Sequence, residues 1–351
     1  MFMTAINYLY VHPKFKLNGF YFNQEDLCRV AYSFIKEGDD FEKPVGDFIL
    51  DWFDAKSYLE IATSGTTGEP KLIQVEKQSM VNSALATGKF FDLSAGETAL
   101  NCLPVKYIAG KMMFVRAFIL GLDMDFVAPS SNPLARNDKK YDFVAMVPLQ
   151  AENSLPQINQ IKKLIVGGVR MSLSLIENLK KSTCEVFETY SMTETVTHIA
   201  AKKIGEKAFT VFPDIKIGQD NRNCLTITSN SLSVHNIVTN DVVEIVSNSQ
   251  FVWLGRIDNV INSGGIKLIP EQIETKLSTK INRRFFVAGV QNEKLGEKLV
   301  LFIEGDKMEL ENEIFDGLDK FEKPKEVIFI QKFPETETGK VKRNEIVNSI
   351  T

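Results

Sequence analysis

Apolar and polar positions change rhythm twice along this chain. Up to about residue 53 the apolar residues recur at helical intervals, over Gln24–Lys36 and again over Val45–Phe53, and predict a helical preface. From Ser57 onward short apolar runs alternate with amphipathic stretches. Tyr58–Ala62, Lys71–Val75, Ala99–Pro104, Met124–Ala128, Phe143–Val147, Leu164–Gly167 and Glu185–Tyr190 read as strands. Between them, Met80, Val81, Ala84, Leu85 and Gly88 line one helical face, and Lys111–Leu120 and Ser172–Lys181 read as further helices. Such alternation predicts an α/β fold with much parallel sheet.

After Val196 the rhythm becomes β-rich. Leu225–Thr228, Leu232–Val238, Val242–Val246 and Phe251–Leu254 are closely spaced strands, as in an antiparallel or barrel-like subdomain. A helix opened by Pro270 follows, with Ile273 and Leu277 inward. Strands at Phe285–Val290 and Leu299–Glu304, a helix near Glu309–Leu318 and a strand at Glu326–Ile330 complete a small α+β lobe. The expected division is a large N-terminal domain over 1–256, of α/β sheet subdomains plus a β-rich one, and a small mobile C-terminal domain over 257–351.

Composition narrows the classes. A chain of 351 residues exceeds what one core ordinarily organises. A net charge of −4 excludes a nucleic-acid partner held by phosphate neutralisation. Four cysteines, Cys28, Cys102, Cys184 and Cys224, form no CxxC pair and suggest neither zinc cage nor disulfide framework. The N-terminus lacks the pattern of a signal peptide, and Met112–Leu122, broken by Arg116, is too short to span a bilayer. The expectation is a cytoplasmic protein without membrane insertion; a homo-oligomer is left open.

Four stretches carry candidate chemistry. TSGTTGEPK at Thr63–Lys71 offers glycines and hydroxyls whose backbone N–H groups can converge on an anion, with Lys71 as a cation; it is also an ordinary hydrophilic loop composition. YSMTET begins at Tyr190, GRIDNVINSGGIKLIPEQIE spans Gly255–Glu274, and ETETGKVKR spans Glu335–Arg343. In this order they resemble the signature of the adenylate-forming enzymes, the superfamily of acyl-CoA synthetases, peptide-synthetase adenylation domains and luciferases. The resemblance runs from about Tyr58 to the C-terminus and implies activation of a carboxylate by ATP with Mg2+, then transfer to a thiol such as coenzyme A.

By match to those motifs, Thr63, Ser64, Gly65, Thr66, Thr67, Gly68 and Lys71 would cradle the ATP phosphates. Gly168 and Tyr190 would hold adenine, and Asp241 and Arg256 the ribose. Thr193 and Glu194 would reach the α-phosphate, with Glu194 on Mg2+. Asp258 would be an interdomain hinge, with Gly264, Gly265 and Lys267 facing the pantetheine arm. Lys340 would be the lysine of adenylation, stabilising charge as the carboxylate attacks phosphorus. Ser191 and Asn240 stand where the family has glycine.

The acid is suggested by Leu103–Arg116, LPVKYIAGKMMFVR, which resembles a region of the o-succinylbenzoate–CoA ligases of menaquinone biosynthesis. That substrate keeps a second, unreactive carboxylate that needs a cation. Tyr107, Lys111, Arg116, Ser191 and Thr195 are the expected acid-binding residues. Arg116 in an otherwise apolar helix is the physical oddity; it either meets that carboxylate or snorkels to the surface. His198, near Thr195, lines the same pocket in this reading or is simply structural. Another small acid, a carrier-protein acceptor, and a non-catalytic adenylate-binding module all remain open.

Overall fold

The computed structural model describes residues 6–62, 72–135, 137–335 and 341–350. The glycine-rich loop Thr63–Lys71 and Lys340 therefore lie outside the described residues. Two compact units emerge: Met1–Lys216 with Ile227–Ile237, and Ile217–Thr226 with Val238–Thr351. No helix among the described residues is long and apolar enough to cross a membrane.

The first unit starts with a short hairpin, β1 (Lys16–Leu17) and β2 (Phe20–Tyr21), inside what the pattern read as a purely helical preface. Helices α1 (Gln24–Glu37) and α2 (Lys43–Phe53) follow. The Asn23 side chain accepts from the Asp26 N–H at 3.0 Å, which caps an otherwise orphan donor and fixes where α1 begins. Strands β3 (Tyr58–Ala62) and β4 (Leu72–Glu76) pair antiparallel, with Ala62 and Leu72, the residues that flank the glycine-rich segment, opposite each other. Then come α3 (Lys77–Phe91), β5 (Thr98–Asn101), α4 (Ile108–Leu120), β6 (Asp123–Phe126), β7 (Tyr141–Met146), α5 (Pro148–Asn153), β8 (Ile161–Val166), α6 (Leu173–Leu179), β9 (Glu185–Ser191), β10 (His198–Lys203) and β11 (Phe209–Val211).

Strands β6, β5, β7, β8 and β9 are neighbours in that order, each pair parallel. Leu100, Val144, Leu164 and Val186, one from each of four strands, lie in one buried cluster. Near-continuous apolar strands are what a sheet covered on its faces requires, and the expected α/β architecture is observed. Strand β10 then turns back antiparallel on β9, and β11 on β10. Helix α4 is buried along Met112–Ile119 on all sides, so it is an interior helix rather than an amphipathic surface one. A Cβ on Gly88 of α3 would meet Leu120 at 2.6 Å. The glycine leaves that space to the Leu120 side chain, which would have to shift if a Cβ were added.

The second unit contains β12 (Lys216–Gln219), β13 (Cys224–Ser229), β14 (Val234–Ser247) and β15 (Gln250–Arg256), the first three contributing residues to it in part. Two strands expected over Leu232–Val238 and Val242–Val246 are one 14-residue strand, β14. It pairs antiparallel with β15 through register shifts at Val242/Val243 and Ile245/Ser247. Beyond it lie β16 (Ile261–Ser263), β17 (Ile266–Leu268), α7 (Pro270–Leu277), β18 (Phe285–Asn292), β19 (Gly296–Glu304), β20 (Glu326–Ile330) and α8 (Arg343–Asn348). The helix expected near Glu309–Leu318 is only a 3-10 turn, Asn312–Phe315. Side chains of β18 and β19 alternate between two cores. Val287, Leu299 and Leu301 join Ile273 and Leu277 of α7, whereas Phe286, Val300 and Phe302 join Ile346 of α8.

Candidate active site

In an open parallel sheet the crevice for a ligand lies beyond the carboxyl ends of the strands. Gly168 stands two residues past the end of β8, and Tyr190 occupies the end of β9. The two strands are parallel neighbours, with Val166 opposite Glu188, so the fold brings these two candidates to one edge. Tyr190 is half-buried and meets Phe209 of β11 edge-on, with centroids 6.1 Å apart. Thr193 and Glu194 follow in a 3-10 turn, Thr193–Thr195. Glu194 is exposed and Ser191 is exposed beside it. An accessible carboxylate on a turn suits Mg2+, which takes one or two protein carboxylates and completes its shell with water and phosphate oxygen. Among the described residues no group of three or more His, Cys, Asp or Glu forms a metal cage by itself.

The turn that follows is unusual. Val196 sits at φ +69°, ψ −56°, and the Thr197 N–H donates to the Thr195 carbonyl at 2.8 Å. This is a γ-turn of the rare, strained kind, built on a buried β-branched residue. Thr195 clasps it. Its hydroxyl lies 3.0 Å from the Met192 carbonyl oxygen and 2.9 Å from that of Thr197, so its single proton is shared between the two. Thr195 is fully buried, so its side chain serves the turn and lies in the wall behind the crevice.

The turn delivers Thr197 and His198 to Arg116. His198 is the register partner of Ser191 across β9 and β10. Arg116 is 2% exposed and does not snorkel. Its Nη2 lies 3.2 Å from His198 Nε2 and 3.4 Å from Thr197 Oγ1, and its Nε lies 3.4 Å from Thr87 Oγ1. Nη1 reaches only the Met113 sulfur, at 3.6 Å. No carboxylate among the described residues pairs with it. Burial pulls the guanidinium down to about 9, which still leaves it a cation at neutral pH. Burial first, and the Arg116 charge second, hold His198 well below its ordinary 6.5. His198 is therefore neutral.

The remaining acid-binding candidates are not gathered there. Tyr107 is half-buried at the N-terminus of α4. Lys111 lies over the Phe48 ring at 5.0 Å, facing α2, where burial lowers it against the pull of Asp51 and Asp47. A helix turns about 100° per residue, so Lys111 and Arg116 leave α4 in different directions. Thr87 and Thr197 were not among the candidates. Thr87 had a signal: it falls three residues after Ala84 on the apolar face of α3, where a polar residue needs a buried partner.

In the second unit, Asp241 lies opposite Arg256 across β14 and β15. Its Oδ1 accepts from Trp253 Nε1 at 3.0 Å, and Arg256 Nη1 stands 3.8 Å from the same oxygen. Arg256 Nη2 also reaches Asp258 at 2.6 Å, and Asn240 Nδ2 donates to both Asp258 carboxylate oxygens at 3.1 and 3.2 Å. Asn240, which stands where the family has glycine, thus ties strand β14 beside the ribose candidate to the hinge candidate. Gly264 and Gly265, at φ +60° and +83°, make the two-residue turn between β16 and β17. Positive φ at both positions is what this hairpin turn requires. A Cβ at Gly265 would meet nothing, so within this chain the turn alone accounts for that glycine. Lys267 is exposed just beyond it.

Comparison with known proteins bears on the family and the fold. The family model for AMP-binding enzymes matches residues 57–217. The 2-succinylbenzoate–CoA ligase of Listeria monocytogenes is 25% identical over 354 aligned residues, 90% of this chain and 74% of its own. The o-succinylbenzoate CoA synthetase of Bacillus subtilis, solved with its acyl-adenylate intermediate, shares the fold at a TM-score of 0.71 and 20% identity, over 82% of this chain and 68% of its own. An acyl-CoA synthetase (AMP-forming)/AMP-acid ligase II-like protein from Dyadobacter fermentans is 34% identical with a TM-score of 0.62, covering 92% of this chain and 98% of that one. The chain belongs to this family of AMP-binding enzymes, the AMP-forming acyl-CoA synthetases and acid ligases.

Proposed function

We propose that this chain joins o-succinylbenzoate to coenzyme A through an acyl-adenylate. The observation that carries the substrate is Arg116, a buried guanidinium surrounded by neutral groups and facing no carboxylate among the described residues. An isolated buried cation is costly, so its retention is understood if an anion completes it. A dicarboxylate reacting at one end supplies that anion with the other; a fatty acid does not. The 2-succinylbenzoate–CoA ligase relatives support the same choice.

In this reading the reactive carboxylate attacks the α-phosphorus of ATP and expels pyrophosphate, and Lys340 and Thr193 stabilise the charge gathering on the phosphoryl oxygens. Glu194 would hold Mg2+, which neutralises phosphate charge when bound. Tyr190 and Gly168 receive the adenine, Asp241 and Arg256 the ribose, and residues 63–71 the phosphates. On the same reading Asp258 is the hinge between the two steps, and the Gly264–Gly265 turn and Lys267 serve the coenzyme A step. The coenzyme A thiol attacks the acyl carbonyl, forming the thioester and releasing AMP.

The test is thioester and AMP release by the purified chain with MgATP, coenzyme A and a panel of acids: o-succinylbenzoate, benzoate, short dicarboxylates and a fatty acid. Turnover confined to o-succinylbenzoate is the expected result. Turnover with benzoate or a fatty acid instead would overturn the substrate and the role of Arg116. ATP binding without turnover on any acid would overturn the activity.

A further inference from the structure

The imidazole of His198 is fixed from three sides. Phe212 and Phe91 meet its ring edge-on, with centroids 5.0 and 6.3 Å away. Thr87 Oγ1 lies 2.9 Å from Nε2, and Arg116 Nη2 lies 3.2 Å from the same nitrogen. A guanidinium only donates, so Nε2 must be the accepting nitrogen, and the ring proton sits on Nδ1. Nδ1 has no hydrogen bond among the described residues. His198, Ser83 and Ser231 border a cavity of about 10 Å³, room for roughly one water.

We infer that His198 is a positioning residue for the acid: as a neutral, rigid acceptor it orients the Arg116 guanidinium and leaves that charge unspent for the acid's second carboxylate. This rests on the reading of Arg116 given above. The choice of residue type is what carries the argument. A carboxylate at position 198 would take the guanidinium bidentately and cancel its charge. An apolar residue would leave Nη2 with Thr197 alone and free the fork to swing. A neutral imidazole occupies one N–H and no charge. Nη1 meets only the Met113 sulfur among the described residues, and on this reading it is the edge that takes the anion.

Four variants separate the outcomes: His198→Ala, His198→Gln, His198→Glu and Arg116→Lys. The assay is ATP–pyrophosphate exchange, which reads adenylation alone, with KM measured separately for o-succinylbenzoate and ATP. His198→Ala is expected to raise the o-succinylbenzoate KM about tenfold or more, with kcat and the ATP KM within about twofold of the parent. His198→Gln, whose amide oxygen is a neutral acceptor, should recover to within about threefold, whereas His198→Glu should be at least as impaired as His198→Ala. An unchanged o-succinylbenzoate KM in His198→Ala overturns the inference. So does a uniform loss in kcat and both KM values that Gln does not rescue, which is the mark of a merely structural residue. If His198→Ala fails to fold, the contrast of Gln with Glu decides alone, and equal KM values in those two overturn it. Arg116→Lys isolates the underlying reading. An unaltered o-succinylbenzoate KM there removes Arg116 as the receptor, whereas a raised KM beside an unaffected His198→Ala removes only the role of His198.

Discussion

Arg343 grips Glu274 across 69 residues of sequence, Nη1 to Oε1 at 2.8 Å and Nη2 to Oε2 at 3.0 Å. The same Oε1 accepts the Val287 N–H at 3.0 Å, and the guanidinium lies 5.2 Å from the centre of the Phe286 ring. One carboxylate on α7 thereby joins β18 to the start of α8. Arg343 comes three residues after the expected adenylation lysine, Lys340, in the chain, so this pair fixes the described residues that follow it. Arg343→Ala should cost about 1–2 kcal/mol of stability, a partly exposed pair being discounted for screening. It should also slow pyrophosphate exchange by about tenfold or more, because a displaced catalytic group is costly. Arg343→Lys keeps the charge but not the fork and should fall between. Urea unfolding and exchange kinetics check both, and an exchange rate equal to the parent's would show that the anchor does not matter for chemistry.

Arg116→Met should separate stability from function. The guanidinium is buried with neutral partners, so an apolar side chain of similar length relieves its desolvation, and stability is expected to hold or rise by about 1–2 kcal/mol. The o-succinylbenzoate KM should climb by about tenfold or more, since charge-assisted bonds contribute about 1.5–3 kcal/mol each. Denaturant midpoints set beside KM values test the pairing of effects. A large loss of stability would mean that Arg116 is an ordinary structural residue.

His198 gives the fold an acid sensitivity whose sign is fixed. Its folded pKa is depressed below 6.5, by burial and then by Arg116, the one charged group bonded to its ring. The unfolded chain therefore binds the extra proton first, and stability present above about pH 6.5 is lost as pH falls below it. The loss attributable to this group approaches about 1.4 kcal/mol per pH unit. Urea unfolding of the parent and of His198→Gln at pH 7.5, 6.5 and 5.5 should give curves that converge as the pH falls. Parallel curves would contradict it.

Thr195→Val keeps the shape of the side chain and removes the hydroxyl that clasps the γ-turn at Val196. The carbonyls of Met192 and Thr197 lose the one buried hydroxyl proton they share, at a cost of about 1–3 kcal/mol. With the clasp gone the turn can relax its positive φ, which shifts Thr193 and Glu194 on one side and His198 on the other. Both the ATP and the o-succinylbenzoate KM should rise together. A rise in one alone would show that the turn does not link the two ends.

The sequence by itself determined the elements whose pattern is local. Tyr58–Ala62 and Glu326–Ile330 are strands to the residue, and α1, α2, α4 and the parallel strands fall within a few residues of their apolar runs. The order of four motifs determined the family, because a series of short stretches in fixed order can be read without knowing how the chain packs. Where long-range pairing outweighs local pattern, the reading failed. Thr239-Asn-Asp looks like a turn, but β14 runs straight through it from Val234 to Ser247, and β15 pairs with it from Asp241 onward. Lys16–Leu17 is too short to register as a strand, yet β6 gives it a parallel partner.

What only the tertiary structure decided is the company Arg116 keeps. Its neighbours Thr87, Thr197 and His198 stand 29, 81 and 82 residues away, and no periodicity relates them. An arginine in an apolar helix reads equally as a surface residue or a buried receptor, since the helix sequence cannot say what covers it. The packing of α3 on α4 and the strained turn at Val196 settle that, by bringing three neutral acceptors, and no carboxylate among the described residues, to the guanidinium.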